Sequence, residues 1–130
     1  MDIVAFLTAR LDEDERLARA ATAGPWTVDD EEYAETIYGA DHTAVVAGGR
    51  WGGEASVFES TEDARHIARH DPPRVLREVA AKRKLVNSLT AITGGDWIDA
   101  GEPVVADLAL RGLAATYADH PDYNPAWALA

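Results

Sequence analysis

The sequence predicts a single α+β domain over residues 1–130: an N-terminal helix, a small antiparallel meander of three or four strands, then two or three helices and an aromatic C-terminal arm. Three observations predict it. Apolar residues keep helical spacing through roughly the first twenty positions. Short β-favouring runs, separated by glycine- and acid-rich turns, fill residues 26–59. Helical spacing then resumes after Ser60. The length of 130 residues and the 47% hydrophobic content suit one buried core and exclude wholesale disorder.

The first helix is expected over residues 2 to 21. Asp2 is placed to cap it, and Ile3, Phe6, Leu7, Arg10, Leu11, Leu17 and Ala21 share one face. The acidic run Asp12-Glu13-Asp14-Glu15 reads as a solvated face, with Asp12→Arg16 and Glu15→Arg19 as pairs four residues apart. Ala23-Gly24-Pro25 ends the helix, because glycine suits the C-terminal turn and proline cannot continue it.

Strands are expected at Trp26–Val28, Tyr33–Tyr38, Thr43–Ala47 and Ala55–Phe58. The cluster Gly48-Gly49-Arg50-Trp51-Gly52-Gly53 reads as a wide hairpin turn presenting Trp51. It is no phosphate loop, since no Lys-Ser/Thr pair follows the glycines.

Ser60 and Asp63 have the spacing of a capping box at the start of the next helix, which runs to Arg69. Asp71-Pro72-Pro73 stops it and starts another, over residues 73 to 91, with Val75, Leu76, Val79, Val86 and Leu89 on its apolar face. Gly94-Gly95 and Gly101 bracket a loop carrying Trp97. A last helix over residues 104–116 has Val104, Leu108 and Leu113 among its apolar positions, and Gly112 weakens it. The tail from Tyr117 to Trp127 holds two prolines and three aromatic residues, which suits an extended arm packed on the surface.

The formal charge of −11 hides a polarised chain. Residues 1–64 carry a balance of −11, residues 65–84 of +5 and residues 85–130 of −5. Such acidity opposes phosphate backbones and anionic membranes, so neither nucleic acid nor membrane is the expected partner. The basic stretch is Arg74, Arg77, Lys82, Arg83 and Lys84 on the long helix. Its plainest partner is the acidic N-terminal half of the same chain; an acidic protein or a second copy is the next. The N-terminus shows neither the basic start nor the apolar stretch of a signal peptide, so a cytoplasmic location is expected.

No cysteine is present, which excludes a disulfide scaffold, a thiol nucleophile and a thiolate metal site. Ser56, Ser60 and Ser88 lie outside any nucleophile-elbow pattern. The sharpest chemical signal is His66 and His70, four residues apart and so on one helix face. His120 is a candidate third ligand, as are Asp71, Asp119 and Asp122. Against a metal stands the favourable placement of a histidine near a helix C-terminus, and no HExxH pattern surrounds His66.

Three blocks carry a resemblance. They are Phe6-Leu7-x-Ala9-Arg10-Leu11-Asp12-Glu13-Asp14-Glu15 with Ala18-Arg19-Ala20-Ala21-Thr22-x-Gly24-Pro25-Trp26; Asp63-Ala64-x-His66-Ile67-Ala68-Arg69-His70-Asp71-Pro72-x-Arg74-Val75-Leu76-Arg77-Glu78-Val79-x-Ala81-Lys82-Arg83; and Tyr117-Ala118-Asp119-His120-Pro121-Asp122-Tyr123 with Trp127. In order and content they resemble a small actinobacterial and actinophage family, domain of unknown function 6221. The resemblance implies a short stand-alone protein with no assigned activity. Many relatives look metal-binding through a cysteine cluster in the region where this chain has Asn87–Leu113 without cysteine, so that site is not carried over. His66, His70 and His120 do fall on motif positions.

The expectation is a non-enzymatic accessory protein that binds another protein, without a cofactor, through Arg74, Arg77, Lys82, Arg83 and Lys84, with Trp51 as an aromatic anchor. Two rivals stand beside it. One is a metal-dependent enzyme built on His66, His70 and His120. The other is an acidic nucleic-acid mimic presenting Asp12–Glu15 and Asp29–Glu32, which needs carboxylates spaced like phosphates along one surface.

Overall fold

The computed structural model describes residues 1–29, 36–46, 61–94 and 101–129. In chain order these form α1 (Ile3–Ala20), β1 (Thr27–Asp29), β2 (Thr36–Tyr38), β3 (Ala44–Val46), α2 (Thr61–Arg69), α3 (Pro72–Thr93), α4 (Gly101–Ala115) and a 3₁₀ turn at Pro125–Trp127. The fold is α+β: an N-terminal helix, a three-stranded antiparallel sheet, then three helices and a C-terminal aromatic cluster. The fourth expected strand, the glycine hairpin with Trp51, the Ser60 cap and the Trp97 loop lie outside the described residues.

The chain gathers into two compact units. One joins Met1–Asp14 to Glu78–Ala130, and the other is Glu15–Arg77.

In the first unit, α1 opens as its sequence dictates. Asp2 Oδ1 accepts the Ala5 N–H at 2.7 Å, and the Asp2 carbonyl accepts the Phe6 N–H at 3.0 Å. Both satisfy donors that the first helical turn leaves orphaned. Phe6, Leu7 and Leu11 on α1 are fully buried, and Val79 and Val86 on α3 are buried. On α4 the buried residues are Ala106, Leu110 and Ala114, spaced four apart. Val104 and Leu108 are instead 60% and 51% exposed, so α4 is turned away from the face that its largest side chains suggested. Alternating small and large residues let this stripe seat closely, which two Val/Leu positions would obstruct.

The aromatic arm closes on Phe6. Rings of Tyr117, His120, Tyr123 and Trp127 surround it with centroids 6.3, 5.9, 6.0 and 5.2 Å away. The first three meet it edge to face, the arrangement that ring quadrupoles favour. Asn124 caps the final turn by accepting the Ala126 N–H. Arg111 holds the same turn from α4, donating to the Ala126 carbonyl at 3.1 Å.

The second unit is built on the sheet, ordered β1-β2-β3 with both pairs antiparallel. Val28 sits opposite Ile37, and Ile37 opposite Val46, with an irregular step after Ile37. Ile37, Ala64 and Ala68 form the buried centre, with Trp26, Val28, Val45 and Val46 packed around it. The two alanines, four apart on α2, bring that helix against the sheet. Gly39 at the β2 exit has no room for a side chain: a Cβ there would sit 2.6 Å from Thr22 Cγ2 and 2.8 Å from the Ala23 carbonyl. In the following turn, His42 takes a φ of 63° and stacks on Tyr38 at 4.0 Å. Asp41 accepts the Thr43 N–H at 3.1 Å, and hydrogen bonding to Thr43 holds its carboxyl below the usual range.

Gly24 has a different role from the one its position after α1 suggested. The helix ends at Ala20, and Gly24 lies further on, where a Cβ would meet Pro73 Cδ at 2.6 Å and Asp71 Oδ2 at 3.2 Å. It is small because the start of α3 packs on it.

Candidate functional site

A concavity in the second unit lies between β1 and α2. Among the described residues it is lined by Trp26, Val28, Glu62, Arg65, His66, Ala68 and Arg69, and its volume is about 520 Å³. That is within the usual range of ligand pockets, roughly 300–1,000 Å³.

Its α2 wall follows from spacing. Glu62, Arg65, His66 and Arg69 stand at i, i+3, i+4 and i+7, so one helical face carries all four. Ala68, with Ala64, points to the sheet and closes the floor. The opposite wall is Trp26, held at both ends. Its backbone N–H donates to Asp71 Oδ2 at 3.1 Å, and its indole Nε1–H donates to the Thr22 carbonyl at 2.8 Å. Asp71 also caps α3, accepting the Arg74 N–H at 3.1 Å through its other oxygen. One carboxylate therefore orders both the wall and the next helix.

The cleft combines the Trp26 wall and an apolar floor of Val28 and Ala68 with two guanidiniums and an imidazole on the rim. Arg65 donates to Glu62 Oε1 at 2.7 Å, so that pair is locally neutral and Arg69 supplies the excess positive charge. An apolar wall beside such a rim can seat an apolar side chain while a guanidinium holds a neighbouring carboxylate.

His66 and His70 are brought together as their spacing requires. Their rings tilt by 50° with centroids 4.5 Å apart, and His70 Nδ1 donates to the His66 carbonyl at 2.7 Å. His120 belongs to the aromatic cluster of the other unit. Its Nδ1 accepts the Asp122 N–H at 3.0 Å and lies 2.7 Å from Arg10 Nη1. Among the described residues, no three His, Asp or Glu side chains form a group able to hold a metal ion.

The five basic residues of α3 divide by role. Arg83 donates to Asp12 Oδ1 at 2.6 Å, Lys82 Nζ lies 5.9 Å from the Tyr117 ring centroid, and Arg74 reaches the Arg69 carbonyl at 3.4 Å. Arg77 and Lys84 are exposed. The acidic run of α1 is engaged throughout: Asp12 with Arg83, Glu13 with Arg10 at 3.3 Å, Asp14 with Tyr117, and Glu15 with Arg19 at 2.9 Å. Asp12 thus meets Arg83 on α3, a partner that spacing along its own helix did not offer. Of the second acidic stretch, Asp29 closes β1, and residues 30–32 lie outside the described residues, as does Trp51.

Sequence reasoning passed over Trp26, Arg65 and Arg69 as a group. The signal was present as the spacing of Arg65, His66 and Arg69 on one helix face. What brings Trp26 to that face is the long-range bond to Asp71, which no local pattern encodes.

No helix among the described residues is long and apolar enough to cross a membrane. No curated protein and no solved structure matches the chain. A family match runs over residues 1–129: the protein belongs to the family of unknown function DUF6221.

Proposed function

We propose that this chain is a non-enzymatic accessory protein of actinobacterial or phage origin that works in the cytoplasm by binding another protein. The partner contributes an acidic segment with an apolar side chain, which enters the cleft between β1 and α2. The observation carrying this reading is the pairing of the apolar Trp26, Val28 and Ala68 surface with the Arg65, His66 and Arg69 rim. Fixed aromatic surface beside arginine is the composition of binding hot spots. The exposed Arg77 on α3, in the same unit as the cleft, adds positive charge that draws in an acidic partner.

The experiment is a titration of isotope-labelled protein with synthetic peptides of alternating Glu and Leu, with Lys–Leu peptides as the control. Expected are shifts at the Trp26 indole N–H and the His66 ring with the acidic series alone, lost in Arg69→Glu. Shifts spread over other surfaces, or equal responses to both series, would overturn the reading. Arg77→Glu should slow association without moving the shifted positions, because a charge outside the cleft steers encounter more than it holds the complex.

A further inference from the structure

We propose that His66 and His70 form a two-point binding site for a late first-row divalent cation, zinc or its neighbours nickel and copper, on the exposed face of α2. The two rings lie with centroids 4.5 Å apart and are both exposed. An ion bonding both imidazoles at about 2.1 Å needs the two ligating nitrogens no more than about 4.2 Å apart, a spacing comparable to the separation of the two ring centroids.

The tautomer supports the same conclusion. A carbonyl only accepts, so the 2.7 Å contact between His70 Nδ1 and the His66 carbonyl places the proton on Nδ1. The lone pair of neutral His70 is then on Nε2. A metal-binding histidine is ordinarily arranged so, with its other ring nitrogen donating to a carbonyl or carboxylate that fixes the ring. Imidazole donors suit zinc, nickel and copper, and offer little to magnesium or calcium, which take oxygen ligands. Among the described residues two donors meet here, since no third His, Asp or Glu joins them. Binding of this kind is distinct from a closed structural site and from the three-histidine enzyme site that residue spacing raised.

The inference is separate from peptide binding. His66 lines the cleft and His70 does not, and the metal is tested with no peptide present. The experiment uses the full chain without a histidine tag, freed of metal by chelation and titrated with zinc, nickel or magnesium chloride above the usual histidine pKa. The imidazole nitrogens of the four histidines are followed by NMR. Expected is one equivalent of zinc or nickel, with the His66 and His70 rings responding together, and no response to magnesium. His66→Ala and His70→Ala should each weaken binding about tenfold or more, since each removes half of the donor set. His66→Gln and His70→Gln replace them if either alanine variant fails to fold. Retained affinity in a variant of either histidine, or a response centred on His42 or His120, would overturn the proposal.

Discussion

The Tyr117 hydroxyl donates to Asp14 Oδ2 at 2.6 Å, joining two residues 103 positions apart in the chain. Tyr117 follows the end of α4 and also presents its edge to Phe6, while Lys82 lies over its ring. The bond is charge-assisted and half-buried, so its loss is not made good by water. Tyr117→Phe keeps the ring and removes only the hydroxyl. It should cost about 1–2 kcal/mol in urea denaturation, with an unchanged slope.

The same contact sets the behaviour of the protein in alkali. Burial raises the Tyr117 pKa above its usual value, and the hydrogen bond and charge of Asp14, with Glu78, raise it further against the opposing Arg10. The folded state therefore keeps its proton at a pH where the unfolded chain releases one. Stability from this group is complete below the ordinary tyrosine value of about 10 and falls as pH rises beyond it. Wild-type protein should lose stability progressively above that point, and Tyr117→Phe should show a shallower decline. Parallel curves for the two proteins would contradict this assignment.

Phe6 is the hub of the arm. It is fully buried and touches four aromatic rings, with the Arg10 guanidinium 5.5 Å from its centroid. Phe6→Ala should cost about 3–5 kcal/mol, since rings fixed on several sides cannot collapse into the space left. Near-ultraviolet circular dichroism should lose most of the signal from Tyr123 and Trp127, whose rings are 5.7 Å apart and held by the same contact. Phe6→Leu should recover about half of the stability while leaving the spectrum reduced.

Much of this architecture is legible in residue order, and particular residues show where legibility ends. Asp2 capping α1 and the paired imidazoles of His66 and His70 follow from local spacing. The apolar face of α4 does not. Val104, Val105, Leu108, Leu110 and Leu113 lie around most of its circumference, so periodicity favours no single stripe. Burial of Ala106, Leu110 and Ala114 is decided by how closely the helix is seated, a tertiary property. The cleft is half legible for the same reason. Arg65, His66 and Arg69 share a face by arithmetic, whereas Trp26 reaches them through an interaction spanning 45 residues. Gly24 carries the strongest local turn signal in the region, yet its smallness serves contact with Pro73.

Asp71 provides the last prediction, because it links the cleft to the fold. Its two oxygens accept from the Arg74 and Trp26 backbone N–H groups, capping α3 with one and fixing the cleft wall with the other. Loss of a cap of this type costs about 1 kcal/mol, and a half-buried N–H left without an acceptor adds about 1–3 kcal/mol. Asp71→Ala should therefore destabilise the protein by about 2–3 kcal/mol, less than the sum of the upper values because Trp26 is not fully enclosed. Asp71→Asn keeps an oxygen for one N–H and turns an amide toward the other, so it should recover the cap and leave Trp26 loose. The two roles then separate by measurement. In Asp71→Asn, thermal stability should return most of the way to wild type, while hydrogen exchange at the Trp26 amide should remain fast. A slow Trp26 amide in both variants would show that the wall is held from the Thr22 side alone, through the indole bond.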